Sequence, residues 1–138
     1  MIEATPIVFD TFAALNGVLC VYESGAKVPF VVRRVFTVCA KAGNLRGNHA
    51  HRRCAQLLVC LVGRIKVSCD NGRYIKEYVL DDMASGLLIP PGVWATQDYL
   101  DNNAILMVLC DRGFEAEDYI RDYDDFKFFL EREKANDR

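Results

Sequence analysis

Both histidines of this chain, His49 and His51, lie one residue apart in the stretch GNLRGNHAHRRCAQLLVCLVG, residues 43–63. Side chains alternate between the two faces of a β-strand, so in a strand these two imidazoles would point the same way. Such a pair can clamp a metal ion, act as an acid and a base, or occupy a solvated face. If this segment is a strand, both histidines of the chain would therefore lie together on one face of a sheet.

Short runs of β-type residues, separated by turn signals, make up most of the chain. The runs GVLCVYE, FVVRRVFTVCA, QLLVCLVG, GLLIPPGVWATQDY and NAILMVLCD are rich in apolar and β-branched residues. The tripeptide DNG at 70–72 is the strongest hairpin signal, and before it Ile65, Val67 and Cys69 alternate with polar residues. Seven or more such strands predict an all-β sandwich or barrel.

The C-terminal segment EDYIRDYDDFKFFLEREKANDR, residues 117–138, has a helical pattern instead. Phe126, Phe129 and Leu130 fall at i, i+3 and i+4 among charged residues, which places them on one face of a helix. No linker, repeat or low-complexity tract is evident. The sequence therefore predicts a single domain over residues 1–138, a β-structure followed by one helix.

Charge and cysteine content exclude some partners and indicate a compartment. The formal net charge is −2, so no global basic field attracts nucleic acid or an anionic membrane. The six cysteines show no CxxC pair and no zinc-ligand spacing, and we interpret them as buried thiols in a reducing cytoplasm. The N-terminus lacks the character of a signal peptide, and no apolar run is long enough to span a bilayer.

The histidines belong to a longer pattern, G-x5-H-x-H-x4-Q-x6-G, with its fixed residues at Gly43, His49, His51, Gln56 and Gly63. A second element, GLLIPPG, follows at 86–92. Together with the all-β pattern, these elements resemble the paired motifs of the cupins. The resemblance implies a cupin jelly-roll barrel with a short C-terminal helix.

Most cupins bind a metal ion through two histidines and a glutamate of the first motif and a histidine of the second. Here Gln56 stands in the glutamate position, and the chain has no third histidine. Two imidazoles and a neutral amide are a poor donor set for zinc, iron or manganese. Cys54 and Cys60 are possible substitutes, but on a continuous strand Cys54 would alternate out of phase with the histidines. We therefore expect neither a metal nor another cofactor.

A narrower resemblance covers roughly residues 30–130. The blocks RRVF, RGNHAH, GLLIPPGVW and EDYIRDYDDF, in this order, resemble those of the nucleotide-sugar 3,4-ketoisomerases, which are metal-independent cupins. The resemblance implies conversion of dTDP-4-keto-6-deoxyglucose into a dTDP-3-keto-6-deoxyhexose, for deoxysugars of the kind found in O-antigens or S-layer glycans. Family members usually have lysine in place of Arg52 and an aromatic residue in place of Thr37. The Thr37 difference leaves the configuration at C4 of the product open.

This reaction requires a base that removes the C3 proton and a donor that neutralises the enediolate oxygen. The ordinary pKa of histidine suits such proton transfer, so His49 and His51 are the expected catalytic residues. Which of them is the base stays open, and we favour His51 because it would lie deeper in the barrel. Gln56 would donate a hydrogen bond to a sugar hydroxyl.

Arginines and one aromatic residue are the remaining candidates for substrate binding. A guanidinium matches a diphosphate with planar, bidentate donors. Arg46 precedes the histidines, and of Arg33 and Arg34, which face opposite ways on a strand, we choose Arg34. Arg121 is the weakest candidate, and Trp94 after the Pro-Pro-Gly turn would stack on the nucleotide base. Each arginine could instead be a surface charge, and Trp94 could plug the end of the barrel.

Three other functions stay open at this level. A nucleotide-sugar 3,5-epimerase on the same scaffold would need a catalytic tyrosine and an Asp partner for its histidine, and no such His–Asp arrangement is evident. A sugar-binding regulator would be expected to carry a helix-turn-helix segment, which the sequence lacks. A metal-dependent oxygenase would bind a metal ion.

Two predicted N-terminal strands bear on how the chain assembles into oligomers. They are the runs IVFDTF and GVLCVYE, joined by a short turn at Asn16–Gly17. An exposed edge strand pairs with whatever it meets. The ketoisomerase resemblance implies a homodimer in which these strands are exchanged between subunits. The alternative is that they close the barrel of their own chain.

Overall fold

Two five-stranded antiparallel sheets face each other in the computed structural model of the chain, which describes residues 2–137. The strands are β1 (Thr5–Val8), β2 (Asp10–Ala14), β3 (Gly17–Val21), β4 (Arg34–Ala40), β5 (Leu45–His51), β6 (Gln56–Val62), β7 (Ile65–Asp70), β8 (Ile75–Leu80), β9 (Ser85–Ile89), β10 (Trp94–Tyr99), β11 (Ala104–Cys110) and β12 (Tyr119–Ile120). The first sheet has the order β1-β9-β6-β11-β4, and the second has the order β12-β5-β10-β7-β8. This arrangement of sheets confirms the predicted all-β, jelly-roll fold.

The space between the two sheets holds the main apolar core. Leu58, Ile65, Leu106 and Tyr99 are fully buried there, each at an inward-facing position of its strand. Along β7 the inward residues are buried and the residues between them are partly exposed, as the alternation in the sequence predicts. The DNG turn at 70–72 connects β7 to β8, which confirms the predicted hairpin.

The outer faces of the two sheets pack against different parts of the chain. The first sheet packs its outer residues, among them Leu57 and Val59, against Phe9 and Val28 of the N-terminal segment. The second sheet packs against the single helix α1 (Tyr123–Asn136) through Phe126. Within residues 2–137, no helix combines the length and the apolar character that a membrane crossing requires.

The start of the helix differs from the prediction. Asp122 caps α1, and its side chain accepts a hydrogen bond from the backbone N–H of Asp125 at 3.0 Å, so the helix begins at Tyr123 rather than near residue 117. Tyr119 and Ile120, before the cap, pair with β5 instead. The predicted apolar face is correct, because Phe126 is buried and Phe129 and Leu130 pack beside it.

The strands β2 and β3 form a hairpin that pairs with neither sheet among residues 2–137. Every residue of β2 is exposed, and so are Val18 and Leu19 of β3. By contrast β1, which the same N-terminal region supplies, pairs with β9 in the first sheet of its own chain. Of the N-terminal strands, β1 thus belongs to the first sheet, whereas β2 and β3 pair only with each other.

Candidate active site

A β-bulge in β5 sets which side chains of this strand face the interior. Gly47 and Asn48 both have positive φ angles, of 77° and 58°. The pairing with β10 shifts there, so Arg46 lies opposite Gln97, on the inner face that the histidines share. A Cβ on Gly47 would come 3.2 Å from the carbonyl oxygen of Ala95, and glycine is therefore required. Regular alternation alone would have turned Arg46 outwards.

The imidazole of His51 forms a buried pair with a carboxylate. Its Nδ1 lies 2.9 Å from Oδ2 of Asp118, and both side chains are almost fully buried. Because an ionised carboxylate only accepts hydrogen bonds, Nδ1 of His51 carries the proton and Nε2 holds a free lone pair. That Nε2 is buried and has no hydrogen-bond partner among the described residues. His51 therefore has the Asp partner that is not evident from the sequence.

Asp118 is held as an anion by the turn that follows β5. The backbone N–H of Arg53 donates to Oδ1 at 2.7 Å, and the N–H of Cys54 donates to Oδ2 at 3.3 Å. Burial alone would raise the pKa of Asp118, but His51 and these two N–H groups lower it below its ordinary value. Asp118 can thus orient His51 and stabilise the imidazolium that forms when Nε2 takes up a proton.

Both histidines are neutral at neutral pH. Burial lowers the pKa of His49 to about 4, and the nearby His51 and Arg121 act in the same direction. Burial also lowers the pKa of His51, while Asp118 opposes that shift and Arg34 and Arg121 add to it. A neutral imidazole with a free lone pair is the form that a general base needs.

Tyr119 lies against both histidines, because β12 pairs with β5 and sets Tyr119 opposite His51. The ring centroid of Tyr119 is 5.0 Å from that of His49 and 4.4 Å from that of His51. Its hydroxyl accepts a hydrogen bond from Nη2 of Arg34 at 3.2 Å. This places a phenol, two imidazoles and a guanidinium in one cluster.

The structure divides the predicted arginines between the interior and the rim of the barrel. Arg34 is half-buried and Arg33 is exposed, so the one that reaches the interior is Arg34. Arg121 is exposed, with its guanidinium carbon 4.5 Å from the ring centroid of Tyr119. Arg46 is also exposed. The cluster therefore has one inner cation, Arg34, and one outer cation, Arg121.

Gln56 lies at the bottom of the cluster and contacts Cys110. It is buried, and its Nε2 donates to Sγ of Cys110 at 3.6 Å, across the pairing of β6 with β11. Cys54 lies in the turn between β5 and β6, so the assumption of one continuous strand, which turned Cys54 away from the histidines, is wrong. Cys54 is buried, and its backbone N–H donates to Asp118. Cys54 therefore lies beside the site.

One group of potential metal ligands occurs in the part of the chain that the structure describes. Donor atoms of His51, Cys54 and Asp118 lie within 4.8 Å of one another. Asp118 already accepts hydrogen bonds from all three neighbours described above, and hydrogen bonding to Cys110 together with burial raises the pKa of the Cys54 thiol. A metal ion here would have to break the pair of His51 and Asp118, so these residues fit a hydrogen-bonded dyad better than a metal centre.

Trp94 does not line the site, and the prediction that it stacks on a nucleotide base is wrong. Its side chain points outwards from β10 and is 8% exposed under helix α1. Its ring centroid lies 5.3 Å from that of Tyr123 and 5.6 Å from that of Phe126. The indole fills the space between sheet and helix and leaves no open face for a ligand.

Thr37 also lies away from the site. On β4 the inward residues are Arg34 and Phe36, whereas Thr37 is exposed on the other face. The guanidinium carbon of Arg34 lies 5.2 Å from the ring centroid of Phe36. An aromatic residue of this strand thus borders the cluster one position before Thr37.

Sequence reasoning missed Asp118 and Tyr119. Asp118 is 67 residues away from His51 along the chain, and nothing local to either residue indicates the contact. Both residues lie in the block EDYIRDYDDF, which carries the family resemblance. The helical pattern of the C-terminal segment, however, predicts that they belong to the helix. Phe114 was missed as well: its exposed ring lies 5.7 Å from that of Tyr119 and 5.5 Å from the guanidinium of Arg34.

Comparisons with known proteins identify the family of this chain. The model of the family described as FdtA: WxcM-like, C-terminal, matches residues 3–131. A TDP-4-oxo-6-deoxy-alpha-D-glucose-3,4-oxoisomerase from Aneurinibacillus thermoaerophilus is 36% identical over 129 residues, which is 93% of each chain.

Two solved structures have nearly the same fold. QdtA, a sugar 3,4-ketoisomerase from Thermoanaerobacterium thermosaccharolyticum in complex with TDP, is 29% identical with a TM-score of 0.90, over 94% of this chain and 96% of that one. A 3,4-ketoisomerase from Helicobacter canadensis is 27% identical with a TM-score of 0.91, over 95% and 99% of the two chains. Because the family model and the bacterial oxoisomerase both match almost the whole length, the chain belongs to the FdtA family of sugar 3,4-ketoisomerases.

Proposed function

We propose that the protein converts dTDP-4-keto-6-deoxyglucose into a dTDP-3-keto-6-deoxyhexose through an enediol. The observation that carries the proposal is the buried Nε2 of His51, which has no hydrogen-bond partner within residues 2–137 and lies beside Asp118, His49 and Tyr119. The names of the relatives support the substrate. A His→Asn variant of the Thermoanaerobacterium thermosaccharolyticum enzyme was solved in complex with TDP-4-keto-6-deoxyglucose.

His51 is the base in this proposal. Its Nε2 removes the proton from C3 of the sugar and delivers a proton to C4, while Asp118 stabilises the imidazolium between the two steps. His49 and Tyr119, which lie on the other side of the cluster, move the proton between the C3 and C4 oxygens. Arg34, the inner cation, neutralises the developing charge on the enediolate oxygen.

The nucleotide is held at the rim. Arg121, exposed against Tyr119, and Arg46, exposed on the same strand as the histidines, have the planar donors that a diphosphate requires. Phe114, which is exposed beside Tyr119, replaces Trp94 as the residue that stacks on the base. Gln56 donates a hydrogen bond to a sugar hydroxyl from the bottom of the site.

Product analysis by NMR in deuterated water tests the reaction. Incubation of the enzyme with dTDP-4-keto-6-deoxyglucose should yield a 3-keto product with unchanged hydrogen at C5. The configuration at C4 can be taken from the same spectrum. A 4-keto sugar recovered without change would contradict the proposal.

A nucleotide-sugar 3,5-epimerase is the second candidate, because the pair of His51 and Asp118 and the nearby Tyr119 are the groups that it needs. The same experiment separates the two reactions. Epimerisation exchanges the hydrogen at C5 and leaves the carbonyl at C4, whereas ketoisomerisation moves the carbonyl and leaves C5 untouched.

We also propose that the reaction requires no metal ion. Gln56 occupies the position of the metal-binding glutamate and donates its amide to Cys110, and Nδ1 of His51 is engaged by Asp118. Turnover should therefore survive exhaustive treatment with EDTA. Loss of turnover that a single divalent metal restores would overturn this proposal.

The enzyme is proposed to act as a homodimer with exchanged N-terminal hairpins. The hairpin of β2 and β3 is exposed and lies outside both sheets, and β4 has a sheet neighbour on one side only. A hairpin from a second copy would extend the first sheet beyond β4 and bury its own apolar residues.

A point variant tests this assembly better than deletion of residues 1–25, because the deletion would also remove β1 from its own sheet. Val18→Arg in the hairpin should convert the dimer to a monomer in size-exclusion chromatography with light scattering. Val79→Arg on β8 is the matched control, since Val18 and Val79 are 55% and 53% exposed. A Val18→Arg protein that stays dimeric would contradict hairpin exchange.

We further propose that the chain acts as a single domain in the cytoplasm. One core cluster draws residues from both sheets, and the cysteines that the structure describes are all free thiols, as in a reducing compartment. Cell fractionation with an antibody against the protein tests the compartment.

A further inference from the structure

The three site residues that sequence reasoning missed, Phe114, Asp118 and Tyr119, all lie on one short segment of the chain. This active-site segment, residues 111–120, follows β11 and ends with the two residues of β12. Its only strand pairing among residues 2–137 is that of Tyr119 and Ile120 with β5, at the edge of the second sheet. The histidines, by contrast, lie on β5 itself, which also pairs with β10. Half of the site is thus carried by an edge segment that strand pairing holds at one end only.

Hydrogen bonds fix both ends of the active-site segment to the turn between β5 and β6. At the first end, the N–H of Asp111 donates to the carbonyl of Ala55 at 3.2 Å, and the N–H of Ala55 donates to the Asp111 carboxylate at 3.1 Å. At the other end, the N–H of Arg52 donates to the carbonyl of Asp118 at 2.9 Å. Between these ends, side chains of the turn make the contacts with residues 112–117.

Two arginines that directly follow the histidine pair make these contacts, and the mechanism above uses neither of them. Nη2 of Arg53 donates to Oε2 of Glu115 at 2.7 Å, which forms an ion pair between the turn and the segment. Nε of Arg52 donates to the carbonyl of Glu117 at 3.2 Å. The guanidinium carbon of Arg52 also lies 5.8 Å from the ring centroid of Phe129 on helix α1. The middle of the segment is therefore gripped from the turn that begins immediately after β5.

We propose that Arg53 and Glu115 are positioning residues, whose ion pair holds the active-site segment against β5 and so keeps Asp118 and Tyr119 on the histidines. The catalytic part of this proposal rests on the function proposed above. The two side chains are 50% and 32% exposed, so the pair acts by raising the population of the arrangement in which the segment is closed. Exposed ion pairs typically shift an equilibrium of this kind by about 1.4- to 5-fold.

Arg53 has a second route to the catalytic pair, which the experiment has to separate from the first. Its Nε lies 3.9 Å from Oδ1 of Asp118, so its charge could act on that carboxylate directly. Glu115 distinguishes the two routes, because its removal breaks the ion pair and leaves Arg53 beside Asp118. Arg112, with Nη1 4.0 Å from Oε1 of Glu115, lies on the segment itself and cannot hold it to the turn.

A double-mutant cycle on the full-length protein tests the proposal. Amide hydrogen exchange, followed by mass spectrometry, is measured together with kcat on dTDP-4-keto-6-deoxyglucose for the wild type, Arg53→Gln, Glu115→Gln and the double variant. Peptides that cover residues 111–120 should exchange about 1.4- to 5-fold faster in each single variant and no faster in the double variant. The value of kcat should fall by about 1.4- to 5-fold in the same three variants. The exchange measurement does not depend on which reaction the enzyme catalyses.

Arg64→Gln is the matched control, because Arg64 and Asp101 form an ion pair at 2.9 Å with side chains 56% and 35% exposed. This control should leave both kcat and the exchange of residues 111–120 unchanged. Faster exchange with unchanged kcat would reduce the ion pair to a structural role and overturn the proposal. A loss of kcat in Arg53→Gln but not in Glu115→Gln would show direct action on Asp118 instead. If Arg53→Gln does not fold, Glu115→Gln decides alone, and wild-type exchange or wild-type kcat in that variant overturns the proposal.

Discussion

The two ends of the barrel interior are built from the same strands but have opposite characters. Along β6 and β11 one end carries Gln56 and Cys110, and the other end carries Cys60 and Leu106. The apolar end is closed and packed. The polar end leaves three buried atoms without hydrogen-bond partners among the described residues, Nδ1 of His49, Nε2 of His51 and Nε of Arg34.

Such unpaired buried atoms cost stability, because each has lost its hydrogen bonds to water. A substrate that supplies the missing partners recovers this free energy on binding. The apolar end therefore stabilises the fold, and the polar end holds a site that is complete only with a ligand. Substitutions at the two ends should accordingly separate activity from stability.

The largest effect is expected for His51→Asn at the polar end. Loss of a general base typically lowers the rate by about 10²–10⁴-fold. The thermal midpoint should change little, because the amide of asparagine can replace Nδ1 as the donor to Asp118 and the lost Nε2 makes no hydrogen bond with the described residues. Turnover assays and calorimetry on the same preparation check both statements, and a variant with full activity would remove His51 from the mechanism.

Leu58→Ala in the apolar core should show the reverse. A fully buried leucine lost to alanine typically costs about 2–5 kcal/mol of the free energy of unfolding. Turnover per folded molecule, measured well below the midpoint, should stay near that of the wild type. Leu45→Ala is the matched control, because Leu45 is 68% exposed and should lose less than about 0.5 kcal/mol in urea unfolding.

Asp118→Asn addresses the link between the His51 base and its surroundings. The amide can still accept from Nδ1 of His51 but cannot stabilise the imidazolium as an anion does. We expect kcat to fall by about 10–100-fold, as for other groups that orient a histidine, with little change in KM. Equal losses of kcat in Asp118→Asn and Asp122→Asn, a carboxylate at the helix cap, would show a general structural effect instead.

The two ends also differ in how far the sequence predicts them. The apolar core follows from alternation, since Ile65 and Val67 are buried as the period of two requires. At the polar end the family resemblance identified the histidines, but Asp118 reaches His51 only through the folded chain. The bulge at Gly47 reverses the alternation for Arg46, and helix α1 covers Trp94. Neither effect can be predicted from the spacing of residues along the sequence.

The pH dependence of stability should report the burial of His49. Its pKa is about 4 in the folded protein, below the ordinary value of 6.5. Between these values the unfolded chain binds a proton that the folded chain does not, so stability falls as the pH is lowered from 6.5 to 4. Urea unfolding at several pH values should show this slope, and His49→Gln should make it shallower. An identical slope in the variant would contradict a buried, neutral His49.

The smallest effect is expected for Trp94→Phe on nucleotide binding. The indole is enclosed by helix α1, so the affinity for TDP in isothermal titration calorimetry should equal that of the wild type while thermal stability falls modestly. Phe114→Ala is the paired variant at the exposed ring beside Tyr119. Stacking of an aromatic ring on a base typically contributes about 1–3 kcal/mol, so its affinity should fall by about 5- to 150-fold. Weaker binding in Trp94→Phe together with unchanged binding in Phe114→Ala would place the base against the helix and contradict the proposed orientation of the nucleotide.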